Sequence, residues 1–462
     1  MDFARPKEPL FVPLGGTGEI GMNLNVYGYR GRWLAVDCGV TFHREDVHRS
    51  RIHLPDPTFL EERQSRLSGL VITHAHMDHL GAVGDLWTRL KCPVYATPFA
   101  GFLLQERLRE QGLAGRVPVR ILSVGSVFDV GPFHVESVSL THSTIESTAL
   151  VLRFDGTTVL HTGDWKLDEE PIAGLDYDRG RLEALGEEGV DVLIGDSTNA
   201  TKSGHSLSEA VARACLAEQI QQAEGRVWVT CFASNVARVR TVMELAEAAG
   251  RRVVLIGRSL YRIARAAKRA GYLQDLPKFI GQRDAGYLPP AEVLYIVTGS
   301  QGEPRAALSR LAAGTFSGLE LEARDRVIFS SKVIPGNELP IERMKVLLKE
   351  RGVRWIDEYS HPEVHVSGHP YQEDLRRMYG WVRPRWVIPT HGEPKHLEAH
   401  ATLARSLPGT GALQILNGQV VQLGPGEPRV LGRVEVGRLE RDERGSTLSP
   451  VALDELNLPW MS

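Results

Sequence analysis

Apolar residues fall in short runs through the first third of the chain, separated by polar and glycine positions. Residues 23–27 (Asn-Leu-Asn-Val-Tyr) and 33–37 (Trp-Leu-Ala-Val-Asp) alternate with the period of two expected of strands, with Gly28 and Arg30-Gly31 between them. Residues 70–72 (Leu-Val-Ile) read as a buried strand, and 93–96, 133–138, 149–154 and 158–160 continue the pattern, with a helix over 100–113. The middle changes character. Helical periodicity covers 209–223 and 236–249, and strand-like runs lie at 227–230 and 253–257. Strands alternating with helices predict a parallel α/β unit. From about 341 the first pattern resumes, with a strand at 386–389. The chain therefore reads as α/β, with a parallel α/β unit (204–340) inserted into a larger β-rich unit (1–203 and 341–430), followed by a C-terminal tail or truncated linker (431–462). No internal repeat or low-complexity stretch interrupts it.

At 462 residues the chain is long enough for two to four domains, and 42% hydrophobic with 24% charged residues fits sizeable cores. A net charge of -3 excludes a basic nucleic-acid coat, so any nucleic-acid site is a local groove. The cysteines, Cys38, Cys92, Cys215 and Cys231, form no C-x-x-C pair. That argues against a disulfide framework and a thiolate metal site, and fits a reducing cytoplasm. Residues 1–7, Met-Asp-Phe-Ala-Arg-Pro-Lys, do not read as an apolar signal region, and no window offers the ~20 apolar residues of a membrane span.

The strand at 70–72 runs into Thr73-His74-Ala75-His76-Met77-Asp78-His79. Three imidazoles and a carboxylate in six positions at a strand end are a metal-binding pattern, and zinc favours these donors. His142 follows the strand at 133–138, Asp164 follows 158–160, and His391 follows 386–389. Alone, His142 or His391 reads as a satisfied core or surface histidine; beside the first cluster each reads as a ligand. Five imidazoles and two carboxylates are too many for one tetrahedral zinc and suit two ions. The expected division is His74, His76 and His142 on one ion, Asp78, His79 and His391 on the other, and Asp164 between them. His161 reads as a neighbour of this site. His43, His48, His53, His134, His205, His361, His396 and His400 read as surface or supporting residues.

Gly16-Thr17-Gly18-Glu19-Ile20-Gly21 fits G-x-G-x-x-G, with Asp37 at the distance of a ribose-binding acid. A dinucleotide site needs a helix after the glycines, and residues 22–27 alternate as a strand instead. A glycine-rich turn passing close to the site is the better reading.

The H-x-H-x-D-H string at 74–79 resembles the signature of the metallo-β-lactamase superfamily, which implies an αββα sandwich with metals at one edge. Asp196-Ser197-Thr198-Asn199, Phe232-Ala233-Ser234-Asn235, the string Val364-His365-Val366-Ser367-Gly368-His369 and Thr390-His391-Gly392-Glu393 resemble its nucleic-acid-processing β-CASP branch. Asp196, His369 and His391 match that branch's three motifs, and histidine at the third favours RNA over DNA. Strings at 15–23, 55–58, 257–259, 298–303 and 330–338 extend the resemblance, from about 11 to about 423, to the bacterial and archaeal ribonuclease J family. One departure is Ser143-Thr144-Ile145-Glu146-Ser147, where that family usually has Ser-Ile-Pro-Asp-Ser. Many members also continue into a small C-terminal domain that aids oligomerisation.

The resemblance implies a hydrolase that cleaves RNA 5'-to-3', favours a 5'-monophosphate on single-stranded RNA, has endonuclease activity as well, and serves RNA decay and maturation in the cytoplasm. It implies two Zn2+ per chain, with Mn2+ or Mg2+ able to act, a homodimer or tetramer, and RNA-decay protein partners. Asp78 would orient the attacking water as well as bind metal. His369 would contact the scissile phosphate or protonate the leaving 3'-oxygen, and Asp196 would orient histidines. The 365–369 stretch (His365, Val366, Ser367, Gly368, His369) would cradle phosphate, with Arg258, Ser300, Ser331 and Lys332 along the RNA path. A small-molecule thioester or lactone hydrolase of the same fold and a non-catalytic RNA-binding scaffold are the competing readings. The inserted unit opposes the first, and the intact ligand set opposes the second.

Overall fold

The structure is a computed structural model, described for residues 3, 5–44, 50–424, 426–442 and 448–451. His48 and residues 443–446 of the polar stretch before the C-terminus lie outside the described residues.

Two large sheets dominate. The eight-stranded sheet runs in the order Arg429–Arg433, Gln419–Gln422, Leu10–Gly15, Leu24–Tyr29, Arg32–Val36, Leu67–Val71, Val94–Ala96, Val119–Ile121. The seven-stranded sheet runs Gly411–Ala412, Trp386–Thr390, Val192–Asp196, Thr157–His161, Ser147–Phe154, Phe133–Leu140, Val127–Val130. The alternation of strand residues sorts side chains between separate cores. Leu24, Val26, Trp33 and Ala35 face one cluster, together with residues of the helices Val83–Leu90 and Pro98–Glu110. Their neighbours Tyr27, Tyr29, Leu34 and Val36 pack with Leu150, Leu152, Val192, Ile194 and Ile388 of the other sheet. The second sheet's other face, with Val151, Leu160, Leu193 and Val387, packs on the helices Arg179–Glu188, Gln372–Val382 and Pro394–Arg405. The result is an αββα sandwich, as the family resemblance implies. Each fully buried Val, Leu, Ile or Phe contributes about 1.5–3 kcal/mol before entropy is charged against it.

A five-stranded parallel sheet follows the order Arg252–Ile256, Val293–Val297, Val227–Thr230, Arg326–Phe329, Arg354–Ile356. Its first helices start at side-chain caps. Ser208 Oγ accepts from Ala210 N at 3.1 Å before Glu209–Gln221, and Asn235 Oδ1 accepts from Arg238 N at 2.8 Å before Val236–Ala248. The boundary read at 340 falls inside the helix Glu338–Glu350, and Arg354–Ile356 beyond it pairs with Arg326–Phe329. Likewise, Arg438–Arg441 pairs with Ser50–Pro55, so part of the 431–462 segment is built into a four-stranded sheet with the N-terminal region. Among the described residues, no helix is long and apolar enough to cross a membrane.

Strand direction places the site. Arg32–Val36 and Leu67–Val71 are parallel, as are Thr157–His161, Val192–Asp196 and Trp386–Thr390. Phe133–Leu140 is antiparallel to Ser147–Phe154, which is antiparallel to Thr157–His161, so its C-terminal end joins theirs. The loops carrying Asp37, His74, His142, Asp164, Asp196 and His391 therefore leave the C-terminal ends of strands along one edge of the sandwich.

Candidate metal centre

The structure brings the seven sequence-predicted ligands together in two adjoining groups. In the first, His76 Nδ1 lies 3.2 Å from His74 Nε2 and 3.0 Å from His142 Nε2. In the second, His79 Nε2 lies 3.1 Å from Asp164 Oδ2, and His391 Nε2 lies 3.3 Å from Asp78 Oδ2. Asp164 Oδ2 is also 3.9 Å from His74 Nε2, so this carboxylate faces both groups. Either group could hold an ion, because its donor atoms lie within 4.8 Å of one another. Donors on a tetrahedral zinc with Zn–N of 2.0–2.1 Å stand about 3.3 Å apart, which these spacings match.

Hydrogen bonds behind the cluster set which ring nitrogen faces inward. Asp37 accepts from the Thr73 hydroxyl at 2.9 Å, and Thr73 Oγ1 lies 3.0 Å from His74 Nδ1. With its proton committed to Asp37, the hydroxyl accepts from Nδ1–H and leaves the His74 Nε2 lone pair toward the cluster. Asp37 also accepts from His79 Nδ1 at 2.7 Å, turning Nε2 inward. His142 Nδ1 donates to Gly368 O at 2.5 Å with the same consequence. His391 Nδ1 sits 2.8 Å from Thr198 Oγ1, whose own proton goes to His391 O at 3.1 Å. Asp164 Oδ1 is buried without a hydrogen-bond partner, an acceptor left for something else.

Electrostatics divide the two groups. Burial pushes His74 and His142 well below the usual imidazole range, and neighbouring imidazoles push the same way. Burial lowers His76 to about 4 despite the opposing pull of Asp78 and Asp164. In the second group burial also lowers, but carboxylates outweigh it. Asp164, Asp37 and Asp78 hold His79 well above its ordinary value, and Asp164, Asp196 and Asp78 raise His391 to about 10. Against burial, His391 and His79 draw Asp164 down to about 2.

His369 and Asp196 stand beside the second group. His369 Nδ1 donates to Asp196 Oδ2 at 2.7 Å, and its ring stacks on His391 with centroids 5.6 Å apart. Burial lowers His369, but Asp196 outweighs it and raises the ring; reciprocally, His369 holds Asp196 far below the carboxylate range against burial. Asn199 Nδ2 donates to Ser367 Oγ at 2.7 Å, tying the 365–369 segment to the loop after Asp196. Gly368 is needed for close approach, because a Cβ there would lie 2.8 Å from His142 Cε1 and 2.7 Å from Ser143 Oγ. Val366 is buried. His365 Nδ1 is buried without a hydrogen-bond partner. Burial, then Arg238, Lys332, Lys166 and Lys202, hold the His365 ring well below its usual value. Ser331 is buried just after Arg326–Phe329, and Ser300 is buried after Val293–Val297. Arg258 is exposed at the start of the helix Arg258–Arg269, in the parallel unit. The structure therefore draws His369 and Gly368 to the ligands, whereas Arg258 and Ser331 belong to the parallel unit.

The glycine-rich turn at 16–21 is a support for this edge. Gly16 O accepts from His391 N at 2.7 Å, and Thr17 bridges to Gly392. His161 is buried, 2.9 Å from the Tyr27 hydroxyl through Nδ1, and burial lowers it to about 4. His53 and His400 are buried as well, which corrects any surface reading for them; His400 joins Ser197 Oγ at 2.8 Å and the Tyr379 hydroxyl.

Sequence reasoning gave Asp37 no part in the site beyond a weak ribose-binding match. It is fully buried in the left-handed region at φ 63°, and two ligands of the 74–79 loop, His74 through Thr73 and His79 directly, depend on it. The available signal was its position one residue past a strand parallel to the one leading into His74.

Comparison with known families agrees with this geometry. Residues 32–223 match the beta-lactamase superfamily domain, 224–347 the ribonuclease J beta-CASP domain, and 363–411 the Zn-dependent metallo-hydrolase RNA specificity domain. Ribonuclease J of Sinorhizobium meliloti is 44% identical over 96% of this chain and 79% of its own length. The Mycolicibacterium smegmatis enzyme is 40% identical over 92% and 76%, and the Synechocystis enzyme 35% over 94% and 68%. A crystal structure of a protein of unknown function from Enterococcus faecalis covers 92% of this chain and all of its own, with TM-score 0.61 at 17% identity, a likeness of fold.

Proposed function

The chain belongs to the ribonuclease J family and is a metal-dependent ribonuclease, and from this premise we propose how its site acts. The observation that carries the proposal is Asp164, a buried carboxylate facing both ligand groups, whose Oδ1 accepts no hydrogen bond and lies 3.5 Å from His391 Nδ1. His74, His76 and His142 would hold one Zn2+, Asp78, His79 and His391 would hold a second, and Asp164 would serve both; Mn2+ or Mg2+ would be the alternative ions. Bound there, two ions supply Lewis acidity at phosphoryl oxygens and a nucleophile from water at neutral pH.

The protein's own groups do the rest. Asp78, ionised and 30% exposed at its side chain, orients the attacking water. His369, whose proton affinity Asp196 raises, donates to the scissile phosphate or gives its proton to the leaving 3'-oxygen. Gly368 and Ser367 hold the phosphate against this pair. Lys332 and Lys202 near His365 make the adjoining space favourable for further phosphates, with Ser331 and Arg258 along the same path.

The same proposal assigns 5'-to-3' exonuclease action on single-stranded RNA with a 5'-monophosphate, endonuclease activity, a role in RNA decay and maturation, a homodimer or tetramer, RNA-decay partners and a cytoplasmic setting. It also includes the division into a metal-binding unit and an inserted parallel unit. Support comes from the family and from the anion-favouring surroundings of the 365–369 segment. The test is metal-loaded protein with RNA labelled at a 5'-monophosphate, beside a 5'-triphosphate substrate and an Asp164→Asn variant. Labelled mononucleotide from the first alone, abolished in the variant, supports the exonuclease reading. Internal fragments from both substrates make it an endonuclease, and intact RNA throughout overturns the proposal.

A further inference from the structure

The chain passes between the sandwich and the parallel sheet near Glu209 and again near Val364, and one fully buried guanidinium touches both places. Arg238 Nε and Nη2 donate to Glu209 Oε2 at 3.0 and 2.9 Å. Its Nη1 donates to Val364 O at 3.1 Å, to Ser330 O at 3.1 Å and to Ser330 Oγ. Ser330 Oγ donates in turn to Val364 O at 2.8 Å.

Both ends of this network lead to the metal centre. Glu209 N donates to Asp168 Oδ2 at 3.0 Å, and Asp168 N donates to Thr141 Oγ1 at 3.1 Å, one residue before His142. Val364 opens the segment whose Gly368 O accepts from His142 and whose His369 donates to Asp196. A planar fork with five N–H groups can satisfy a carboxylate and two separate backbone carbonyls together, and an ammonium cannot reproduce that geometry. We infer that Arg238 is a positioning residue that fixes the 365–369 segment over the ligand cluster by tying together the two passages of the chain. The inference rests on the reading of 365–369 as the part of the site that receives phosphate.

The test uses full-length, metal-loaded protein with Arg238→Ala, Arg238→Lys and Ser330→Ala, and 5'-labelled RNA as probe. Displacement of the segment by an ångström lowers kcat by about a hundredfold in Arg238→Ala assayed at saturating metal, while KM stays within about threefold. Millimolar guanidinium chloride restores at least about tenfold, and equal sodium chloride or urea does not. Arg238→Lys stays impaired despite keeping the charge. Hydrogen exchange speeds up in 364–369 and remains slow in Val192–Asp196.

A folded Arg238→Ala with unchanged kcat overturns the inference. So does full activity in Arg238→Lys, or a loss that guanidinium does not reverse with exchange spreading into Val192–Asp196. If Arg238→Ala does not fold, Ser330→Ala leaves the ion pair intact and removes the bond from Ser330 Oγ to Val364 O, and its kcat against KM and the exchange in 364–369 decide. Wild-type protein that leaves RNA intact defeats the functional reading instead, and the exchange measurement still decides whether Arg238 holds the segment.

Discussion

The two halves of the metal centre are built from the same residue type and prepared in opposite ways. His74, His76 and His142 have mostly one another for company, and burial strips them of protons. His79 and His391 sit among Asp37, Asp78, Asp164 and Asp196, which keep protons on them in the ion-free protein. In the proposed two-ion arrangement the first half would be ready for an ion at neutral pH. The second would be held by protons in the meantime, so its carboxylates are neutralised whether or not a cation is bound. Imidazole count alone does not define such a site; the charge around each ring decides its state.

Asp164 joins the halves, so Asp164→Asn is the most damaging single change expected. It removes the shared charge from both ions, and several kcal/mol of transition-state stabilisation corresponds to about a thousandfold or greater loss in RNA cleavage. Elemental analysis should show bound metal falling together with activity. Full metal content with full activity in this variant would end the two-halves description.

The next largest effect is the pH dependence of metal uptake. Below about 10, His391 is protonated in the ion-free protein, and His79 likewise titrates above its ordinary value. An ion must displace those protons, so affinity at the second half rises with pH through the neutral range, about tenfold per pH unit for each proton released. The first half lacks this dependence near neutrality. Its rings are already neutral, with His76 lowered to about 4, so its affinity stays flat near neutrality and falls only in acid. Titration calorimetry in buffers of different ionisation enthalpy counts the protons. Equal release at both halves contradicts the assignment.

Asp37→Asn separates geometry from charge. Asp37 turns His79 Nε2 inward and helps keep that ring protonated, so its loss should weaken metal binding by roughly ten- to a hundredfold. The same change should flatten the pH slope of the second half, since one source of proton retention is gone. A weaker affinity with an unaltered slope would assign Asp37 to orientation alone.

What the sequence made legible follows the physics of range. The ligands end strands, and the direction of those strands brings distant ends to one edge, so His74, His142, Asp164 and His391 could be read together. The sandwich itself came from the family resemblance carried by 74–79; the period of two located the strands, and in the structure it divides Tyr27 from Val26 and Leu34 from Ala35 between cores. Arg238 was not legible. Its partners lie 29, 92 and 126 positions away, and nothing local distinguishes it from the other arginines of a helix. Asp37 was hidden because the glycines before it invited a different comparison, while its actual role is set by the fully buried side chain of Thr73.

The smallest effect concerns the first half alone. Gly368→Ala places a methyl group 2.8 Å from His142 Cε1 and 2.7 Å from Ser143 Oγ, closer than carbon can approach either. The segment must move back by several tenths of an ångström, which stretches the bond from His142 Nδ1 to Gly368 O. His142 then loses orientation at Nε2, while His79 and His391 keep their own partners, Asp37 and Thr198. The expected result is about a tenfold loss of cleavage with weaker binding at the flat, pH-independent half and an unchanged pH slope at the other. If the pH-dependent half weakens instead, the 365–369 segment is coupled to His391 through the stacked ring of His369, and the two halves are one cooperative unit.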